Sequence, residues 1–135
     1  MGLAEALGAA PERYLKGTRD GIVVFRSQTE VATLQPDFGT LKRLFPSPLI
    51  ATAPGDGVID FVSRFFAPHS GIDEDQVTDS AHCALIPYWS ERLDKAQLRA
   101  RQISKRGGHI SCEMCGDRVT IAGRVALYLQ GAIEV

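Results

Sequence analysis

Between Asp73 and His82 the chain carries four carboxylates (Asp73, Glu74, Asp75, Asp79), two hydroxyls (Thr78, Ser80) and an imidazole (His82). Groups of this kind take up and return protons when burial and neighbours tune their pKa values. The cluster runs directly into Cys83-Ala84-Leu85-Ile86-Pro87-Tyr88-Trp89, which is almost wholly apolar. A helix that is apolar all round is a buried helix. The pattern therefore predicts a polar cluster at the N-terminus of a core helix spanning about Ser80 to Leu93, with Pro87 kinking it. Free N–H groups and the positive end of the helix dipole favour an anion at such a tip.

Each candidate has a plain alternative. Asp75 and Ser80 read either as proton relay and substrate anchor or as loop and cap residues. His82 reads more readily as a hydrogen-bonded core residue near a helix start than as an acid or ligand. Asp73 and Glu74 are often only dipole partners in this position. Arg64 is strand-borne and a candidate partner for one of these carboxylates, although nothing in the sequence fixes the face it takes, and His69 reads as a surface loop residue. Cys112-Glu113-Met114-Cys115 has CxxC spacing, but a zinc site needs four ligands and no second CxxC is present. Residues 112 and 115 of one strand also point to opposite faces. Core and edge cysteines are the favoured reading, with no metal site expected.

The elements that must position the cluster are legible from periodicity and turn chemistry. Leu3–Leu7 and Pro11–Leu15 read as short helical pieces, and Ile22–Phe25 as a buried strand. Ser27 caps a helix over Thr29–Leu34, with Glu30 placed as in a capping box. Asp37 caps another over Phe38–Leu44. Leu49–Ala53 and Val58–Phe66 read as strands on either side of the turn Pro54-Gly55-Asp56-Gly57. The last third is strand signal. Leu98–Ser104 leads to the turn Lys105-Arg106-Gly107-Gly108. His109–Met114 and Arg118–Ile121 flank a two-residue hairpin at Gly116-Asp117. Val125, Leu127 and Leu129 then complete the meander. Strands, one apolar helix and more strands give an α+β domain in which a curved sheet wraps that helix.

The chain's 135 residues fit a single domain, 1–135. Hydrophobic residues make up 44% of it and charged residues 23%, the balance of an ordinary globular domain. Its net charge of −1 gives no electrostatic argument for nucleic acid or membrane partners. The basic residues between Arg92 and Arg106 read as a solvated face. No stretch approaches the ~20 apolar residues needed to span a bilayer. Three cysteines without a secretory pattern lead to an expectation of reduced thiols and a cytoplasmic location.

Several blocks together carry a resemblance. Asp60-Phe61-Val62-Ser63-Arg64-Phe65-Phe66-Ala67-Pro68 is followed by Gly71-Ile72-Asp73-Glu74-Asp75, Val77-Thr78, Ser80-Ala81-His82 and Pro87-Tyr88-Trp89. Gln102-Ile103-Ser104 and Arg106-Gly107-Gly108 join them. The whole resembles the PhzF-like family, isomerases of the phenazine-biosynthesis type with the diaminopimelate epimerase-like fold. Such enzymes have two similar domains with the active site between them, and this chain resembles the C-terminal domain.

The resemblance implies cofactor-independent proton transfer at carbon on a small carboxylic acid. Asp75 matches the family's active-site aspartate. Ser80 and the backbone of Asp79 and Ala81 would bind the substrate carboxylate, with Gly71 in the same motif. The main base belongs to the first domain and has no counterpart here. Two further departures stand out: Gln76 replaces a usual proline and Asp79 a usual glycine. Two like charges ~4 Å apart cost about 4 kcal/mol at an effective dielectric near 20. Asp79 avoids that cost only by turning to cap the helix. The resemblance thus leads to an isomerase domain completed by a second domain or subunit, as a homodimer or with a complementing chain. The rival reading is a non-catalytic binding or assembly module. A zinc or redox protein through Cys112 and Cys115 is a third, weaker one.

Overall fold

Alternation along the strands puts apolar side chains on both faces of one sheet, so the fold needs two covering layers. The structure, a computed structural model, describes residues 2–135. Its elements are α1 (Leu3–Leu7), β1 (Arg13–Lys16), β2 (Gly21–Val24), α2 (Gln28–Ala32), α3 (Phe38–Leu44), β3 (Leu49–Pro54), β4 (Phe61–Ala67), β5 (Ile72–Asp75), α4 (Asp79–Leu93), β6 (Gln97–Gln102), β7 (Gly108–Cys115) and β8 (Arg118–Ala122), with a 3-10 turn over Pro68–Ser70. The strands form one open sheet in the order β1-β2-β3-β4-β6-β7-β8, and β5 pairs with β4 outside this path. Pairing is antiparallel except between β2 and β3 and between β4 and β6.

Strand β4 shows why the sheet has two cores. Phe61 and Phe65 face α4, where they join Leu85, Ile86, Trp89, Leu98 and Ile110. Val62 and Phe66 face the other way, against Leu7, Val31, Leu34 and Leu41 of the α1–α3 side. Period-two alternation makes this split automatic. Helix α4 is anchored by Trp89, which is fully buried, stacks on Phe61 at 5.8 Å and donates from Nε1 to Thr52 Oγ1 at 3.0 Å. The Thr52 hydroxyl in turn donates to the Val62 carbonyl at 2.7 Å. The one polar atom of the indole thus enters the core satisfied.

The caps of α2 and α3 are as expected: Ser27 Oγ accepts from the Glu30 amide and Asp37 Oδ1 from the Thr40 amide. Four expectations need correction. Residues 11–15 are not helical. They supply β1, whose Arg13 pairs with Val24. A five-residue helix has little stability alone, whereas the edge of β2 offers hydrogen bonds. The fourth strand begins at Phe61 rather than Val58, because Asp56–Ile59 is held in a turn. Helix α4 is buried on one side only, leaving Cys83 and Pro87 exposed, because α1–α3 take the opposite face of the sheet. Val125, Leu127 and Leu129 form no strand; the chain after Ala122 has no regular structure and is exposed. An alternating apolar segment becomes a strand only when a neighbour accepts it.

One ion pair spans three elements. Arg64 on β4 donates from Nε and Nη2 to both carboxylate oxygens of Glu74 on β5, at 2.7 and 2.8 Å. Its Nη1 donates to the carbonyls of Val31 and Leu34 at the end of α2 and just beyond it, and its guanidinium lies 5.0 Å from the Phe66 ring centroid. Both side chains of the pair are largely shielded. Truncating one partner strands the other. Arg64→Met is therefore expected to lower the unfolding free energy by about 3 kcal/mol in urea titrations. A loss below about 1 kcal/mol would class the pair with exposed ion pairs instead.

Candidate functional site

The site is built around a buried glutamine. Leu98, Ala100 and Gln102 occupy alternate, core-facing positions of β6, so Gln102 has to enter the interior with a polar amide. A buried amide is costly unless its donors and acceptor are met. Gln102 Oε1 accepts from the Thr78 amide at 2.8 Å, and Nε2 donates to the Asp75 carbonyl and to Thr78 Oγ1, both at 3.0 Å. The Thr78 hydroxyl then donates to Asp75 Oδ2 at 2.6 Å. Asp75 Oδ1 accepts from the Gln76 amide at 2.9 Å. Asp75 is thus held at both oxygens, half-buried, shortly before α4.

Thr78 is the N-cap of α4, yet its side chain makes no capping bond because Asp75 and Gln102 occupy it. Asp79 supplies a partial substitute. Its Oδ1 accepts from the Ser80 amide at 2.7 Å, while the carboxylate stays exposed. Of the two arrangements open to Asp79, the structure shows the one turned onto the backbone. Ser80 is half-buried in the first turn and Ala81 is buried. Gly71 lies apart from this group. It closes the 3-10 turn with φ of 82°. That turn is at the far end of β5, a strand's length away from Asp75.

The turn after β6 packs onto the same loop. Ser104 Oγ donates to the Gln76 carbonyl at 2.6 Å and accepts from the Gly107 amide at 3.0 Å. Gln76 Oε1 accepts from the Arg106 amide at 2.8 Å. Gly108 lets this approach happen, since a Cβ there would lie 2.5 Å from Val77 Cγ2 and push that side chain aside. Between this turn, the end of β8 and the tip of α4 lies a groove of about 1240 Å³, bordered by Val77, Thr78, Asp79, His82, Arg106 and Ile121 among others.

His82 is fully buried, with Nδ1 at 2.6 Å from the Thr78 carbonyl. A carbonyl only accepts, so Nδ1 carries the proton. Nε2 has no partner among the described residues. Burial holds the imidazole's pKa below its ordinary 6.5, against the opposing pull of the Thr78 carbonyl and the Asp79 charge. His82 is accordingly a neutral core histidine beside the site. Cys112 is buried, its thiol pushed up to about 12 first by burial and then by Asp60, and Cys115 is exposed. No group of three or more metal-ligating side chains occurs among the described residues, and no described helix is long and apolar enough to cross a membrane.

Sequence reasoning named Asp75, Asp79, Ser80 and Ala81, which the structure gathers at one helix tip. It assigned no role to Gln102, Thr78 or Ser104. For Gln102 a signal was available. Strand alternation puts it on the apolar face, and a polar residue there must have partners.

A curved open sheet carrying one long helix, with a groove at the helix tip, defines an α+β class seen in solved proteins. A crystal structure of a phenazine biosynthesis protein of the PhzF family from Enterococcus faecalis superposes with a TM-score of 0.85 at 45% identity, over 89% of this chain and 46% of that one. A putative PhzC/PhzF protein from Clostridium difficile gives 0.85 at 41% identity, over 98% and 51%. An uncharacterized isomerase of Pseudomonas aeruginosa is 48% identical over 133 residues, 98% of this chain and 51% of its own length. Residues 3–131 match the family described as phenazine biosynthesis-like protein, PhzC-PhzF. The chain belongs to that family and has its diaminopimelate epimerase-like fold. It spans about half the length of the curated relatives it matches.

The depressed pKa of His82 fixes a pH dependence. The unfolded chain takes a proton at His82 near pH 6.5, while the folded chain resists it until lower pH. Stability from this residue is therefore complete above about 6.5 and declines as pH falls below it. Urea midpoints measured from about pH 7 down to 5 are expected to fall, and His82→Gln, which takes up no proton, is expected to flatten that decline. An equal decline in the variant would place the responsible proton elsewhere.

Proposed function

We propose that this chain is the C-terminal half of a PhzF-like isomerase, catalysing cofactor-independent proton transfer at carbon on a small carboxylic acid. The observation that carries this reading is the tip of α4. The Thr78 side chain is diverted from capping to hold Asp75, so the first-turn amides of α4 lack its cap, and Thr78 and Asp79 border the groove. Such amides and the helix dipole suit a substrate carboxylate. Anchoring it there leaves the neighbouring carbon for proton exchange. Asp75, oriented by Thr78 and the Gln76 amide, is assigned the relay, and Ser80 with the amides of residues 79–81 the anchoring. A general base on the other wall removes the first proton. In this reading that wall, with the main base, comes from a second domain or subunit. The uncharacterized isomerase relatives are about twice as long as the matched region, which supports such a completion. So do the exposed apolar side chains after β8: Val125 (96%), Leu127 (81%) and Tyr128 (98%). Apolar surface of this kind drives association. The partner is a second copy or a complementing chain.

One observation favours a different reading, a binding or assembly module without chemistry. Both oxygens of Asp75 already hold local hydrogen bonds, and Asp79 occupies the Ser80 amide where a substrate carboxylate would compete. These bonds shape the loop without any reaction.

Deuterium wash-in at the carbon next to the carboxylate separates the two. Across a panel of small carboxylic acids, with the chain alone and with a first-half partner, exchange is expected for at least one acid. Asp75→Asn is expected to slow it by about 100-fold or more with the fold intact. Ser80→Ala is expected chiefly to raise the half-saturating acid concentration. No exchange under any of these conditions leaves only the module. Light scattering is expected to show a dimer at micromolar concentration; a monomer removes the homodimer form of the proposal and leaves the complementing chain.

A further inference from the structure

Among the described residues, three buried side-chain atoms lack a hydrogen-bond partner: Ser63 Oγ, His69 Nδ1 and His82 Nε2. Of these residues only His82 borders the groove at the α4 tip. Its ring is fixed through the other nitrogen. Nδ1 donates to the Thr78 carbonyl at 2.6 Å, one turn back along the helix. Nε2 sits at the opposite end of the imidazole, so it points away from that backbone. Nothing packed nearby can serve it. Phe61, the ring's aromatic neighbour at 5.9 Å, has no donor. The groove's border on the α4 side of the sheet is apolar. Ala100 and Ile110 are buried and directly paired across β6 and β7, and Ile121 of β8 packs against the same core. Val77, at the mouth, is partly exposed.

A neutral imidazole with its proton on Nδ1 presents a lone pair at Nε2 and no hydrogen. Burial keeps His82 in that state. A buried acceptor without a donor costs free energy, and such orphans in native proteins commonly mark a site where something binds. We infer that the groove takes a ligand that meets this atom, a small and mainly apolar molecule with an uncharged O–H or N–H group donating to His82 Nε2. An ammonium group does not suit the position. Val77, Ala100, Ile110 and Ile121 offer it no counter-charge, and the exposed Asp79 carboxylate is engaged with the Ser80 amide. His82 is then a specificity-determining residue, because an analogue lacking the hydrogen leaves the lone pair unmet. This inference does not rest on the carboxylate-anchoring role assigned to the helix tip.

Binding to the full chain is tested at about pH 7.5, where His82 is neutral, with two pairs of uncharged probes. Phenol donates a hydrogen bond and its methyl ether, anisole, does not. Benzamide donates and N,N-dimethylbenzamide does not. In nitrogen NMR of protein carrying isotope-labelled histidine, the Nε2 signal of His82 is expected to move toward the hydrogen-bonded range as a donor probe saturates. It is expected to stay in place with the methylated probe. The donor of at least one pair is expected to bind at least about fivefold more tightly than its methylated partner, and that pair tells O–H from N–H. His82→Asn, whose amide still reaches the Thr78 carbonyl but places no acceptor where Nε2 lies, is expected to lose this preference. His82→Gln, whose side chain extends a carbonyl oxygen to about the position of Nε2, is expected to keep part of it. The NMR shift is read on the unaltered chain, so it stands even where a variant fails to fold. Equal affinity within both pairs overturns the inference, as does the failure of every probe to bind. A preference that survives His82→Asn also overturns it. So does an Nε2 signal that is already hydrogen-bonded in the free protein and unmoved by donors, because a resident water then meets the atom. None of these outcomes bears on carboxylate exchange, which tests the helix tip separately.

Discussion

The arrangement at the α4 tip depends on the burial of one amide. Gln102 sits at the end of a strand whose alternation leaves it no exposed position, and its donors and acceptor find partners only in Asp75 and Thr78. Those bonds draw the loop before α4 down onto β6. They also engage the Thr78 hydroxyl, which would otherwise cap the helix. An unmet buried polar group costs roughly 1–3 kcal/mol, so the loop has little freedom to adopt another shape. The position of Asp75 and the loss of the Thr78 cap are two results of the same constraint.

That constraint is relayed through backbone as well as side chains. The parallel pairing of β4 with β6 brings Gln102 opposite Ser63, and the Ile103 amide donates to the Ser63 carbonyl. Helix α4 lies in the crossover between these two parallel strands, and its far end is fixed by Trp89 against Thr52. The helix is thus held at one end by an indole in the core and at the other by a glutamine from the sheet. Asp60 adds a third tie, accepting from the Arg99 amide and from Lys95 just beyond the helix.

Much of this was legible in the sequence because it is written in short-range chemistry. Ser27 and Asp37 announced their helices, Gly116-Asp117 its hairpin, and the apolar run after Ser80 the long helix. The resemblance also drew the helix-tip residues together. Other features depend on contacts across the sheet. Residues 11–15 look helical by composition, but β2 presents an edge that no local signal reveals. The one-sided burial of α4 follows from three short helices packing elsewhere. Asp79 faced two outcomes that differ by a side-chain rotation, and sequence does not choose between them. Gln102 was the exception, since period-two counting alone puts it inside.

The stretch after Ala122 has a consequence for keeping copies apart. From Arg124 to Val135 it contains no proline, joins no sheet and is exposed, with Val125, Leu127 and Leu129 in alternation. Bare backbone flanked by such side chains templates edge-to-edge pairing with other chains and is a seed for aggregates. Keeping copies of this chain dispersed at high concentration therefore requires that this segment be held away from the same segment of other copies.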